Sequence, residues 1–158
     1  TIHTGEDTPA SFVTETIRLA APDRIGHGIH IIDDPSAVEL VRESGITLEV
    51  SPWSNYLTSS VRVIAEHPLK QLYDLGLRVT INSDDPEVLD TNLNQEYRIA
   101  HEILGMGLDD IAACNRYALA ASFLPEPATS AIAAQYFAPG GEGPTAPRSP
   151  RASQEGTA

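Results

Sequence analysis

Polar and apolar positions alternate in two rhythms along this chain. Short β-branched runs occur at Thr1 to His3, Arg24 to His27, Ile46 to Ser51 and Leu77 to Asn82. Between them lie longer stretches whose apolar residues recur at helical spacing, so each short run predicts a strand and each longer one a helix. The first helix is predicted over Pro9 to Ala20, with Thr8 as its N-cap and Pro9 in its first turn. Asp34-Pro35 repeats that opening, and Gly45 closes the second helix where a left-handed residue is wanted. His67-Pro68 opens a short helix that stops at Gly76. Two helices, Thr91 to Leu104 and Asp109 to Phe123, then follow with no strand between them, and Ala128 to Phe137 predicts one more.

This order is that of successive βα units on a parallel sheet, an α/β fold. Its strands end at His3, His27, Ser51 and Asp84, each followed by polar residues. In such folds the carboxyl ends of the strands and the loops after them build the active site. Four strands cannot close a barrel of eight. The expectation is therefore the C-terminal half of a (β/α)8 barrel over residues 1–137, with the first half upstream of Thr1. The stretch 138–158 is rich in Gly and Pro without large apolar residues, and is expected to be a disordered tail.

Composition narrows the partners. The 158 residues carry a net charge of −12, which argues against binding a nucleic acid polymer or an anionic membrane. No apolar run approaches the roughly 18 residues of a membrane span. The chain opens Thr1-Ile2-His3 without a charged and then apolar leader, so no signal peptide is expected. A lone cysteine, Cys114, leaves no internal disulfide and fits a reducing, cytoplasmic setting. It falls in a helix rich in Ala and Leu and reads as packing.

Chemistry gathers at the strand ends. His3-Thr4-Gly5-Glu6 sets an imidazole and a carboxylate around a glycine; Gly26-His27-Gly28 places a histidine between two glycines; Ser83-Asp84-Asp85-Pro86 offers adjacent acids. His and Asp are ordinary zinc ligands, and further Glu and His groups can move protons beside a metal-activated water. Each cluster by itself also reads as cap or turn chemistry. The functional reading rests on all three falling at successive strand ends. His30, His67 and His101 read as structural, His67 as a helix cap, whereas Trp53 and Tyr56 fit either a pocket or the core. The sole lysine, Lys70, lies in a predicted helix, which disfavours a carboxylated-lysine, two-metal site.

The succession HTGE, RIGHG, SPWSNYLT, EHPLKQLYDLG and INSDDP, ending in NRYALAASFLP, resembles the C-terminal half of the adenosine deaminase family. That resemblance implies a (β/α)8 barrel with one zinc, hydrolysing the 6-amino group of an adenine-type purine to a 6-oxo group. It implies His3 and Asp84 as zinc ligands, Glu6 as the acid protonating purine N1, His27 over the attacking water, and Asp85 hydrogen-bonded at or near N7. The small-molecule partner is then a purine nucleoside, with adenosine as the default because RIGHG resembles adenosine-type members. Aminodeoxyfutalosine and adenine are alternatives. The family's HAGE is HTGE here, and its HxH zinc pair and an earlier purine-contacting glycine segment have no counterpart, so the missing N-terminal half is expected to be needed for activity. A non-catalytic half-barrel or binding module is the reading from another class.

Overall fold

The computed structural model describes residues 1–137; the Gly/Pro-rich stretch 138–158 and its expected disorder lie outside the described residues. Four strands, β1 (Ile2–Thr4), β2 (Arg24–His27), β3 (Thr47–Val50) and β4 (Arg78–Ile81), form one sheet in sequence order. All three pairings are parallel. Helices α1 (Ala10–Ala20), α2 (Pro35–Ser44) and α4 (Leu69–Asp74) fill the three crossovers, and α5 (Leu93–Arg98) and α6 (Leu108–Ala120) follow β4. A short helix absent from the sequence reading, α3 (Pro52–Leu57), leaves directly from the end of β3.

Register sorts the side chains into two rows. Ile2, Ile25, Leu48 and Val79 lie side by side, as do His3, Gly26, Glu49 and Thr80. Ile25, Leu48 and Val79 of the first row enter a core shared with Val13, Val38, Val41, Leu72 and Cys114. Covering the strands with helices shields this row from water, which is why the row is apolar throughout. From the alternate row, His3, Gly26 and Glu49 line a cavity of about 470 Å³ that continues to the strand ends. No helix among the described residues is long and apolar enough to cross a membrane.

Most elements start and stop for the expected reasons. Asp34 caps α2 by accepting from the Ser36 N–H at 2.8 Å, and Gly45 ends it at φ 67°. The opening of α1 differs: Pro9 is its N-cap, and the Thr8 hydroxyl instead accepts from Gly5 N at 2.9 Å, tying back the loop after β1. The predicted helix Thr91 to Leu104 is α5 followed by a π-helical turn, Ile99–Ile103.

The described residues divide into two units, Thr1–Phe123 and the segment 124–137. Within the second, helix α7 (Glu126–Tyr136) carries Pro127 in its first turn.

Candidate active site

The loops after β1 and β2 are clasped backbone to backbone. Gly28 N donates to Thr4 O at 2.9 Å, and His30 N donates to Gly5 O at 3.1 Å. That approach explains two glycines. A Cβ at Gly5 would stand 2.4 Å from Val13 Cγ2 and 3.0 Å from Gly28 Cα, and one at Gly28 would stand 2.9 Å from Leu48 Cδ2. Both also take positive φ, 73° and 68°. More telling, two residues with side chains do the same at strand ends: His27 at φ 66° and Asp84 at φ 56°. Left-handed backbone at a non-glycine residue costs on the order of 1–3 kcal/mol and persists where the surroundings over-determine it.

The clasp brings three predicted residues together. Ligand-capable atoms of His3, Glu6 and His27 all lie within 4.8 Å of one another. Glu6 Oε2 is 3.3 Å from His3 Nε2 and 3.7 Å from His27 Nε2. Asp84, from the far edge of the sheet, comes within 3.9 Å of His27 Nε2 through Oδ2. Both imidazoles line the cavity, but the His3 side chain is 64% exposed while that of His27 is 5% exposed, so His27 meets the cavity from a buried position. Burial lowers the pKa of His27; the Glu6 charge opposes this and His3 reinforces it.

Asp85 is placed differently. Its side chain is exposed and is not among the residues lining the cavity, while its carbonyl accepts from Val88 N at 3.1 Å and Leu89 N at 2.9 Å. Its observed bonding is thus that of a turn.

Helix α3 supplies residues the sequence reading did not single out. Ser54 Oγ donates to Asp84 Oδ2 at 2.7 Å. Asn55 Nδ2 lies 3.0 Å from Glu6 Oε1 and 3.0 Å from His27 Nδ1. Thr58 Oγ1 donates to the same Glu6 oxygen at 3.0 Å. Oε1 of Glu6 is therefore the acceptor edge, and Oε2 is the edge turned to the two histidines. His67 caps α4 by accepting from Leu69 N at Nδ1, as expected, and its Nε2 reaches Asn55 Oδ1 at 3.0 Å. Trp53 points away, donating through Nε1 to Leu89 O at 3.0 Å, and its ring lies 5.4 Å from that of Tyr56. Ser54, Asn55 and Thr58 lie in SPWSNYLT, a segment that carries the family resemblance, but its local chemistry assigns them no role, and only the site's three-dimensional closure does.

The donor set fits a zinc-type ion, since imidazole and carboxylate oxygen are its usual ligands alongside thiolate. Cys114 does not join it: the residue is fully buried in the core, and burial pushes its thiol up to about 12.

The adenosine deaminase family pattern matches residues 1–137. An adenine deaminase of Rhizobium rhizogenes is 41% identical over 135 residues, covering 85% of this chain and 42% of that protein. An adenosine deaminase of Plasmodium vivax is 35% identical over 139 residues, covering 86% of this chain and 38% of the relative. Among solved structures, adenine deaminase from Arthrobacter aurescens is similar with a TM-score of 0.79 at 29% identity, covering 83% of this chain and 40% of that one. Arabidopsis ADAL complexed with IMP has a TM-score of 0.73 at 25% identity, over 82% of this chain and 37% of its own. A Burkholderia ambifaria amidohydrolase with bound Zn shares the fold at a TM-score of 0.76 and 24% identity, over 84% and 37% of the two chains. The chain thus spans about two fifths of the length of these curated relatives. Its sheet is part of a (β/α)8 barrel, the class the strand count predicted. The chain belongs to the adenosine deaminase family.

Proposed function

We propose that this chain forms the C-terminal side of a single-zinc active site that hydrolyses the 6-amino group of a purine, converting adenosine to inosine and ammonia. The observation that carries the reading is the convergence of His3, Glu6, His27 and Asp84 at the ends of three strands, two of them in left-handed backbone. Adenine is a second substrate reading, favoured by the 41% identity to an adenine deaminase against 35% to an adenosine deaminase.

His3 and Asp84 would hold the zinc. When bound there, zinc would act as a Lewis acid that makes a water molecule nucleophilic near neutral pH. A catalytic zinc has three protein ligands or more. Because the chain spans about two fifths of its relatives, the remaining ligands would come from the other βα units of the barrel. His27 serves a different purpose. The Asn55 amide occupies its Nδ1, leaving Nε2–H to orient the attacking water and to offset charge as it forms. Glu6, held at Oε1 by Asn55 and Thr58, turns Oε2 toward the reacting side and delivers a proton to purine N1 from that oxygen. Protonation of N1 makes C6 more electrophilic, which is general acid catalysis of the attack. Asp85 would receive a hydrogen bond from the N7 side once substrate is seated.

Two substitutions in an active, completed enzyme test these roles. Asp84→Ala loses zinc and turnover together. Glu6→Gln keeps zinc and loses about 10²- to 10⁴-fold in kcat, since an amide has no proton to give N1. Metal analysis beside an absorbance assay for 6-oxopurine formation decides it: a zinc-replete, fully active Asp84→Ala, or a zinc-free Glu6→Gln, overturns the assignment.

A further inference from the structure

The direction of each hydrogen bond around Asn55 is set from outside the site. It starts at the backbone N–H of Leu69, a group that only donates, 3.1 Å from His67 Nδ1. His67 Nδ1 is therefore an acceptor, and the ring carries its proton on Nε2. Burial supports the same state, pulling the His67 pKa down to about 3. That Nε2–H points at Asn55 Oδ1, 3.0 Å away. With its oxygen engaged there, Asn55 meets the site with both protons of its amide nitrogen. One goes to Glu6 Oε1 and the other to His27 Nδ1, each at 3.0 Å.

A His27 ring that accepts at Nδ1 carries its proton on Nε2, the edge facing Glu6 Oε2 and Asp84 Oδ2. Turning the Asn55 amide over would set its oxygen against the Glu6 carboxylate and its N–H against the His67 N–H. Both contacts would be repulsive in a place that water does not reach, with Asn55 0% and His67 4% exposed. The network therefore has one favourable polarity, fixed by the start of α4.

We propose that Asn55 and His67 are positioning residues, a buried relay that locks His27 in its Nε2–H tautomer and turns the Oε2 edge of Glu6 toward His3 and His27. The value of that lock rests on the deaminase reading, because an Nε2–H is what a water-orienting histidine needs. The tautomer itself does not rest on it: it is a property of the chain without substrate or metal. If Asn55 and His67 only packed α3 against α4, the state of His27 would be indifferent to them.

The test is ¹⁵N-histidine NMR of the full chain, metal-free and without ligand. His27 and His67 are both expected to show a protonated Nε2 and a bare Nδ1. Asn55→Asp replaces the N–H donor by an acceptor and moves a proton onto His27 Nδ1. His67→Phe frees the Asn55 amide to turn and spreads His27 over both tautomers, and His67→Gln, which keeps an N–H for Asn55 Oδ1, restores the single state. A proton on His27 Nδ1 in the unsubstituted chain overturns the proposal, whatever the variants do. So does a His27 pattern unmoved by both Asn55→Asp and His67→Phe in folded protein. In a completed, active enzyme, Asn55→Asp should lower kcat about 10- to 100-fold with little change in KM. A tautomer shift with full turnover would refute the water-handling role of His27 in the deaminase reading, whereas the absence of any tautomer shift refutes the relay.

Discussion

A neutral histidine in a protein interior makes stability depend on pH, and His67 is the clearest case. Burial lowers its pKa from 6.5 to about 3. Between those values the unfolded chain binds a proton that the folded chain does not. Its contribution is therefore complete above about pH 6.5 and is lost as pH falls toward 3, by up to about 1.4 kcal/mol per pH unit. Urea midpoints measured from about pH 7 to pH 4 should fall less steeply for His67→Gln than for the unsubstituted chain; parallel slopes would show that His67 does not resist protonation. At this scale the sequence was informative where chemistry sits next to a strand end. His3, Glu6, His27 and Asp84 stand out on that ground: the first three cluster, and Asp84 approaches His27. Asn55 and His67 do not stand out as site residues, although both lie in segments that carry the resemblance, because neither sits at a strand end and His67 reads locally as a helix cap. Asn55 stands 49 residues from Glu6 and 28 from His27, distances along the chain that only the sheet register closes.

Between elements, Glu96 does a comparable job. It is a fully buried carboxylate on α5 that accepts from Trp53 N at 3.0 Å and from the Thr91 hydroxyl at 2.9 Å. It thereby ties the start of α3, which carries Ser54 and Asn55, to the segment after β4. Burial raises its pKa, since the charged form gives up more solvation than its two donors return. Glu96→Gln should fold well, because its oxygen can accept from Trp53 and its amide can donate to a reoriented Thr91. Glu96→Ala leaves both groups buried without partners and should cost about 2–4 kcal/mol. Thermal or urea unfolding of the two variants checks this, and equal losses would contradict it. The strands and most helices were legible because their apolar spacing and end signals agree. Helix α3 was not, since Ser, Pro and Asn read locally as loop, and its stability comes from contacts such as Glu96 to Trp53. Thr8 does not cap α1 for a related reason: the backbone N–H of Gly5 takes its hydroxyl.

Across the whole molecule, the parallel order β1-β2-β3-β4 puts β1 and β4 at the edges of the sheet, each with one neighbouring strand among the described residues. The row His3, Gly26 and Glu49 faces a cavity instead of a second layer. Both features fit a chain that spans about two fifths of its relatives' length. The strand count anticipated this architecture. The choice of purine is not legible in the sequence, because on the proposed reading His3, Glu6, His27 and Asp84 would all serve the 6-amino group that adenosine and adenine share. The most direct measurement is an absorbance assay with adenosine and adenine, zinc present, on this chain, on a separate polypeptide carrying the other βα units of the barrel, and on the two mixed. The predicted result is turnover in the mixture alone, abolished by Glu6→Gln in this chain; robust turnover by this chain without the other, or a mixture indifferent to Glu6→Gln, would contradict it.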